Sequence, residues 1–228
     1  SETSGSVAAR IRVCLAQGDV ERADTLSRRL LGWDRQPFFL ILRGGVLTEQ
    51  SKFSEAQSIY KEVLKDKPND AKAYYNMGVV LSKQDKTAEA VKYYRMAIKF
   101  RPDFADAHEN LGYVLLNQRK LDEAVEHLCN AVRLNPFNVT ALNNLGLALY
   151  RDNLFDLAAG YYRLALRANP NLAEVHANLA DTLMKLGQFD DAVIHCRKAL
   201  KLKPGWKAAA NLLRDAEKRS RPTAANHR

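Results

Sequence analysis

Residues 135–170 read NPFNVTALNNLGLALYRDNLFDLAAGYYRLALRANP, and this stretch decides the fold. Leu142, Leu145, Gly146 and Leu149 follow i, i+3, i+4, i+7 spacing, one face of an amphipathic helix. Asp152-Asn153 is a turn signal. Ala158, Tyr162 and Ala165 then form the inward stripe of a second helix. Gly146 and Ala158 are small, which lets the paired helices approach closely. Pro170 lacks an amide donor and stops the second helix, and Asn171 is placed to cap the next.

The stretch recurs. Pro68, Pro102, Pro136, Pro170 and Pro204 are 34 residues apart, as are Ala56, Ala90, Ala124, Ala158 and Ala192. Gly44, Gly78, Gly112 and Gly146 keep the same register, with Ala180 in the fifth place. One period held by three small or rigid residue types is the mark of a solenoid. Few clusters of β-branched and aromatic residues occur, while Ala, Leu, Lys, Glu, Arg and Gln dominate, so strands are not expected.

This pattern resembles the tetratricopeptide repeat family. The resemblance covers 37–206 as five repeats: 37–70, 71–104, 105–138, 139–172 and 173–206. The family's large residue at the fourth place of each is Leu40, Tyr74, His108, Leu142 and His176 here. Arg43 at an apolar place and Ala180 in place of glycine depart from the pattern. The resemblance implies an all-α, right-handed superhelical solenoid of stacked helix-turn-helix repeats. Residues 6–36 read as a divergent N-terminal helix pair, with Ala23 near the small position and the register slipping before Pro37. Residues 207–219 read as a C-terminal capping helix, with Ala210 and Leu213 inward, since a solenoid needs a polar end. Residues 220–228 read as a disordered tail.

Composition narrows the function classes. The 228 residues are 46% apolar and 27% charged, with net charge +9, ordinary for a globular or repeat protein. The positive charge is spread among acids except near the end, EKRSRPTAANHR, so no aromatic-interleaved nucleic-acid stripe is expected. Cys14, Cys129 and Cys196 lie far apart and read as small packing residues, with no disulfide framework or metal set. There is no phosphate loop, no H-E-x-x-H and no G-x-S-x-G, so no enzyme, cofactor or metal site is expected. His108 and His176 read as core, and His127 and His195 as repeat-related residues of the second helices. No apolar run is long enough for a bilayer, so no direct membrane insertion is expected. The start SETSGS lacks Met; the expectation is a soluble, cytoplasmic segment or an excised part of a longer or anchored chain.

Function is therefore sought on the inner wall that first helices line in such solenoids. Helical geometry sends Lys72, Tyr75, Asn76, Glu109, Asn110, Tyr113, Asn117, Asn143, Asn144, Tyr150, Arg151, Asn178 and Asp181 to that wall. Asn76, Asn110, Asn144 and Asn178 are 34 apart, a ladder of amides that each donate and accept. The ladder resembles that of the repeat domains of O-linked N-acetylglucosamine transferases and of some armadillo carriers, where it holds the main chain of extended segments. Its other reading is structural, with each amide bonding the neighbouring helix and setting the inter-repeat angle. The function expected is a protein-interaction scaffold taking an extended peptide or partner helix from another protein. A substrate-selecting arm of a larger enzyme such as a glycosyltransferase, and a self-assembling scaffold, are the alternatives. Self-association has two candidate surfaces, the groove and a Phe38, Ile41 and Leu42 patch, which residues 6–32 would otherwise cover. Asn138-Val139-Thr140 matches a sugar-acceptor pattern and lies in an inter-repeat turn.

Overall fold

The computed structural model describes residues 3–33 and 36–220. Among the described residues there are thirteen helices and no strand. They are α1 (Ser4–Ala16), α2 (Val20–Trp33), α3 (Pro37–Glu49), α4 (Phe53–Asp66), α5 (Ala71–Lys83), α6 (Thr87–Phe100), α7 (Ala105–Asn117), α8 (Leu121–Leu134), α9 (Val139–Arg151), α10 (Phe155–Ala168), α11 (Ala173–Lys185), α12 (Phe189–Leu202) and α13 (Lys207–Ser220). From α3 to α12 a helix of 13 residues alternates with one of 14. The chain forms two compact units, Ser1–Ala107 and His108–Arg228, with the division in the first turn of α7.

The same devices recur in both units. The turn inside each pair carries a left-handed residue at one register position: Ser51, Asp85, Arg119, Asn153 and Gly187. Only the last is a glycine, so four side chains accept a conformation that costs about 1–2 kcal/mol for most L-residues. In the N-terminal pair the left-handed residue is Gly18, one place out of register with Ser51. The slip seen in the sequence thus has a backbone counterpart.

The small register positions explain the close helix pairing. A Cβ on Gly146 would lie 2.7 Å from the Tyr162 ring, and one on Gly78 would lie 2.7 Å from the Tyr94 ring. Gly44 meets Tyr60 in the same way, and Gly112 meets Leu128. The fifth repeat narrows the contrast of sizes, with Ala180 in the glycine's place and Cys196 in the ring's, both fully buried. The departure from glycine is therefore matched sixteen residues on by a smaller partner.

In the first unit, α1 and α2 cover α3. Val7, Ile11, Cys14, Leu26 and Leu30 form one buried cluster with Phe39 and Val46, and Leu42 packs against it. Arg43 is 8% exposed and donates to Ser27 Oγ at 2.9 Å and to the Asp24 carboxylate. Burial pushes the Asp24 carboxyl up, but Arg43's hydrogen bond and charge, with those of Arg28, hold it below its ordinary value. Arg43 is thus the polar key of the N-terminal cover rather than a flaw in an apolar face.

The structure corrects several expectations. Phe38, Ile41 and Leu42 do not share a patch: Ile41 turns into a second cluster with Leu40, Val63 and Ala73, and only Phe38 is exposed. The guanidinium of Arg12 lies 5.1 Å from the Phe38 ring centroid. Cys14 and Cys196 are buried, but Cys129 is exposed and does not serve as core. Asn171 is not the cap of α11; Leu172 takes that place without a side-chain bond. Ala209 and Ala216 are the buried residues of α13, because the helix is rotated one step from the expected Ala210 and Leu213 face. Of the expected tail, 221–228 lies outside the described residues.

Candidate partner-binding surface

In the first unit, Lys72 is exposed and Asn76 is half-buried on α5. Tyr75 is taken up by packing, its ring 4.8 Å from Phe104 and 6.0 Å from Tyr94.

In the second unit, the candidate residues lie on α7, α9 and α11, the first helices of successive pairs. Tyr113 is 49% exposed, and Asn117 and Arg151 are exposed. Glu109, Asn110, Asn143, Tyr150, Asn178 and Asp181 are half-buried. Asn144 differs, being 7% exposed.

Much of this polarity is spent between repeats. Asn178 Nδ2 donates to Asn143 Oδ1 at 3.1 Å, and Tyr150 Oη donates to Asp181 Oδ2 at 2.5 Å. Arg151 Nη1 donates to the Leu116 carbonyl at 2.9 Å. Asn138 caps α9 by accepting from the Ala141 amide and donates from Nδ2 to Glu109 Oε2. Both ends of the Asn138 amide are therefore engaged, the oxygen within its own turn and the nitrogen across to α7. Each such bond is worth about 1 kcal/mol, and those to a carboxylate more. Burial, with the hydrogen bond and charge of Asp181, drives the Tyr150 phenol far above its ordinary range, so it remains a donor. The first unit has a matching tie in Lys83 to Glu49, 2.9 Å across one repeat.

What these ties leave exposed is a short polar surface with one aromatic. Beside Asn117 and Arg151 lies a cavity of about 440 Å³, lined also by Arg119 and Leu121. Arg119 was missed in the sequence because it belongs to the turn, not to a first helix. The acceptor carbonyl of Leu116 carries no side-chain signal at all. Two histidine pairs were also missed as pairs. Their signal was the common offset, nineteen residues from His108 to His127 and from His176 to His195.

Residues 109–173 match a tetratricopeptide repeat family model, residues 71–104 and 173–205 match another, and residues 44–85 match a TPR repeat model. Together these matches extend over more than half of the chain, and the protein belongs to the tetratricopeptide repeat family. No curated protein matches it. Among solved structures, Pseudomonas aeruginosa PilF is 20% identical, with 93% of this chain and 97% of that chain covered, at a TM-score of 0.80. YrrB, described as a TPR protein with an unusual peptide-binding site, is 21% identical over 81% of this chain and 96% of its own, at 0.69. The Cut9–Hcn1 hetero-tetramer of APC/C is similar at 19% identity and 0.80, where 94% of this chain corresponds to 43% of that one. At these identities the likeness is one of fold, all-α helical repeats. Such repeats typically serve protein–protein interaction and are generally non-catalytic. Among the described residues no three metal-ligating side chains gather, and no helix is long and apolar enough to cross a membrane.

Proposed function

We propose that the second unit is a peptide-binding scaffold, with the exposed face of α7, α9 and α11 holding an extended segment of a partner protein. The observation that carries this reading is the exposure of Tyr113 and Asn117 beside half-buried amides that already sit at repeat spacing. A tyrosine gives a rigid amphipathic contact, the kind enriched where proteins meet. Asn117 offers an exposed amide group suited to main-chain atoms. Arg119 and Arg151 border the cavity at one end of this face and suit an acidic side chain or a terminal carboxylate of the segment. The likeness to YrrB supports the reading at the level of a shared fold.

The amides divide into two roles in this reading. Asn143 and Asn178 tie α9 to α11, whereas Tyr113, Asn117 and Arg119 meet the partner. A displayed library of extended peptides, selected on this chain, tests it. Selected peptides should bind the Tyr113→Ala/Asn117→Ala chain at least tenfold more weakly, with far-UV circular dichroism unchanged. Equal binding by both chains would remove this face as the site.

A further inference from the structure

A second cavity, of about 390 Å³, lies on the other helices of the same unit, between α10, the turn at 169–172, the start of α11, and α12. Arg163, Arg167, Lys198 and Lys201 line it together with His176 and His195. No aspartate or glutamate lines it. Among the described residues none of the four cations has an ion-pair partner. Nearby cations do have one: Arg197 is 2.8 Å from Glu217, and Lys203 is 3.0 Å from Glu174. Four like charges around one hollow therefore stand uncompensated where compensation is the local habit. The repeat accounts for part of this, since Lys65, Lys99, Arg133, Arg167 and Lys201 share one register, but Lys198 is particular to the last repeat, where its register equivalents are Glu62, Met96, Asn130 and Leu164.

The histidines add a directional element. His176 Nε2 faces the Pro170 carbonyl at 3.1 Å, so its hydrogen sits there and its Nδ1 is bare. The 2.9 Å contact between the two Nδ1 atoms then takes the hydrogen of His195. That leaves His195 Nε2 as the position for an added proton. The groups acting on His195 are His176 on α11, Lys198 and Asp191 on α12, and Arg163 on α10. Burial and then the three cationic or ionisable neighbours press its pKa down to about 4, and only Asp191 opposes them. An anion in the cavity reverses the electrostatic part of that pressure.

We propose that this cavity binds a small organic phosphate, with Arg163, Arg167, Lys198 and Lys201 holding the phosphate oxygens and Leu166 and Leu202 flanking the organic part. Two guanidinium groups supply planar donor forks matched to phosphate, and two ammonium groups supply mobile point charge. The volume exceeds what one oxyanion fills and falls in the range of small-molecule sites. Binding draws a proton onto His195, so it carries a proton uptake that a simple charged surface would lack.

The test is calorimetric titration of the full chain with pyrophosphate and with phenyl phosphate, beside sedimentation with phosphatidylcholine vesicles containing phosphatidic acid. Saturable binding of the soluble probes alone identifies a soluble ligand, and binding in both arms identifies a headgroup as a source too. Arg167→Gln/Lys198→Gln should weaken pyrophosphate at least tenfold. Lys61→Gln/Lys65→Gln, which removes the same charge from α4 of the first unit, should change it less than twofold. Titration at pH 6 in two buffers of different ionisation enthalpy should show proton uptake in excess of that of the His195→Gln chain. All substituted cations are exposed, and unchanged helix content confirms that the variants fold. No saturable binding of any probe, or equal weakening by the two double variants, overturns the proposal.

Discussion

In α9 and α10, Gly146 lies under the ring of Tyr162, and Leu142 fills the large buried position. In α11 and α12 the same register carries Ala180 with Cys196, and His176 beside His195. The backbones match to the residue, 13 then 14 per pair, yet one interior is apolar and the other holds a hydrogen-bonded imidazole pair. The comparison teaches that the repeat tolerates different volumes and polarities at the same interior positions. Where the first helix carries Ala180 in place of glycine the second carries a much smaller side chain, and an aliphatic-aromatic pair is replaced by two histidines with the helix lengths unchanged. In the fifth repeat the imidazole pair borders a hollow that four cations also line.

The sharpest way to break the comparison is to fill the space that Gly146 leaves for the Tyr162 ring. Gly146→Ala should destabilise the chain by about 1–3 kcal/mol, because the added carbon meets the Tyr162 ring. Tyr162→Cys in the same chain should deepen that loss, because removing a fully buried ring leaves a cavity that one methyl does not fill. A urea midpoint unchanged by Gly146→Ala would show that ring and helix are not in close contact.

Exchanging the polarity is the next test. His195 takes its proton at about pH 4 in the folded chain and near its ordinary value, about 6.5, in the unfolded one. The folded pKa of this base is depressed, so its stabilising contribution is complete above pH 6.5 and is lost as pH falls toward 4. The melting temperature should drop across that window. The profile of His176→Leu/His195→Tyr, which installs the fourth-repeat pair Leu142 and Tyr161, should be flatter across that window. Parallel profiles for the two chains would remove the imidazole pair as the cause.

Smaller effects sharpen the boundary between the two repeats. Tyr150→Phe removes the bond to Asp181 and should cost about 1 kcal/mol, read as a midpoint shift in urea. Asp181→Asn should lose less, since an amide oxygen still accepts. At the turns, Gly187→Ala forces a Cβ into the left-handed region and should cost about 1 kcal/mol, whereas Asn153→Gly should gain about half that. Equal and negligible shifts for both would mean that the turn conformation is not maintained in solution.

The period was legible because it rests on residues with one physical meaning each. Proline ends a helix wherever it stands, and glycine marks close approach. The face of the first helices was legible for the same reason, from helical geometry alone. The fate of the amides on that face was not. Asn178 and Asn144 hold the same register, yet one bonds Asn143 and the other is buried. That depends on which neighbour presents an acceptor at 3 Å, a property of two helices brought together and not of either. Arg43 shows the same limit, reading as an intrusion until Asp24 and Ser27, sixteen to nineteen residues away, are seen around it.

The sequence by itself determined the helix pairs, their phase and their family, because local propensity and period act within a few residues of each position. Only the tertiary structure decided which polar groups tie repeats together, which remain exposed, and that four cations surround one hollow. Those outcomes depend on distances of a few ångströms between residues 19 to 35 positions apart, and such distances exist only once the helices are packed.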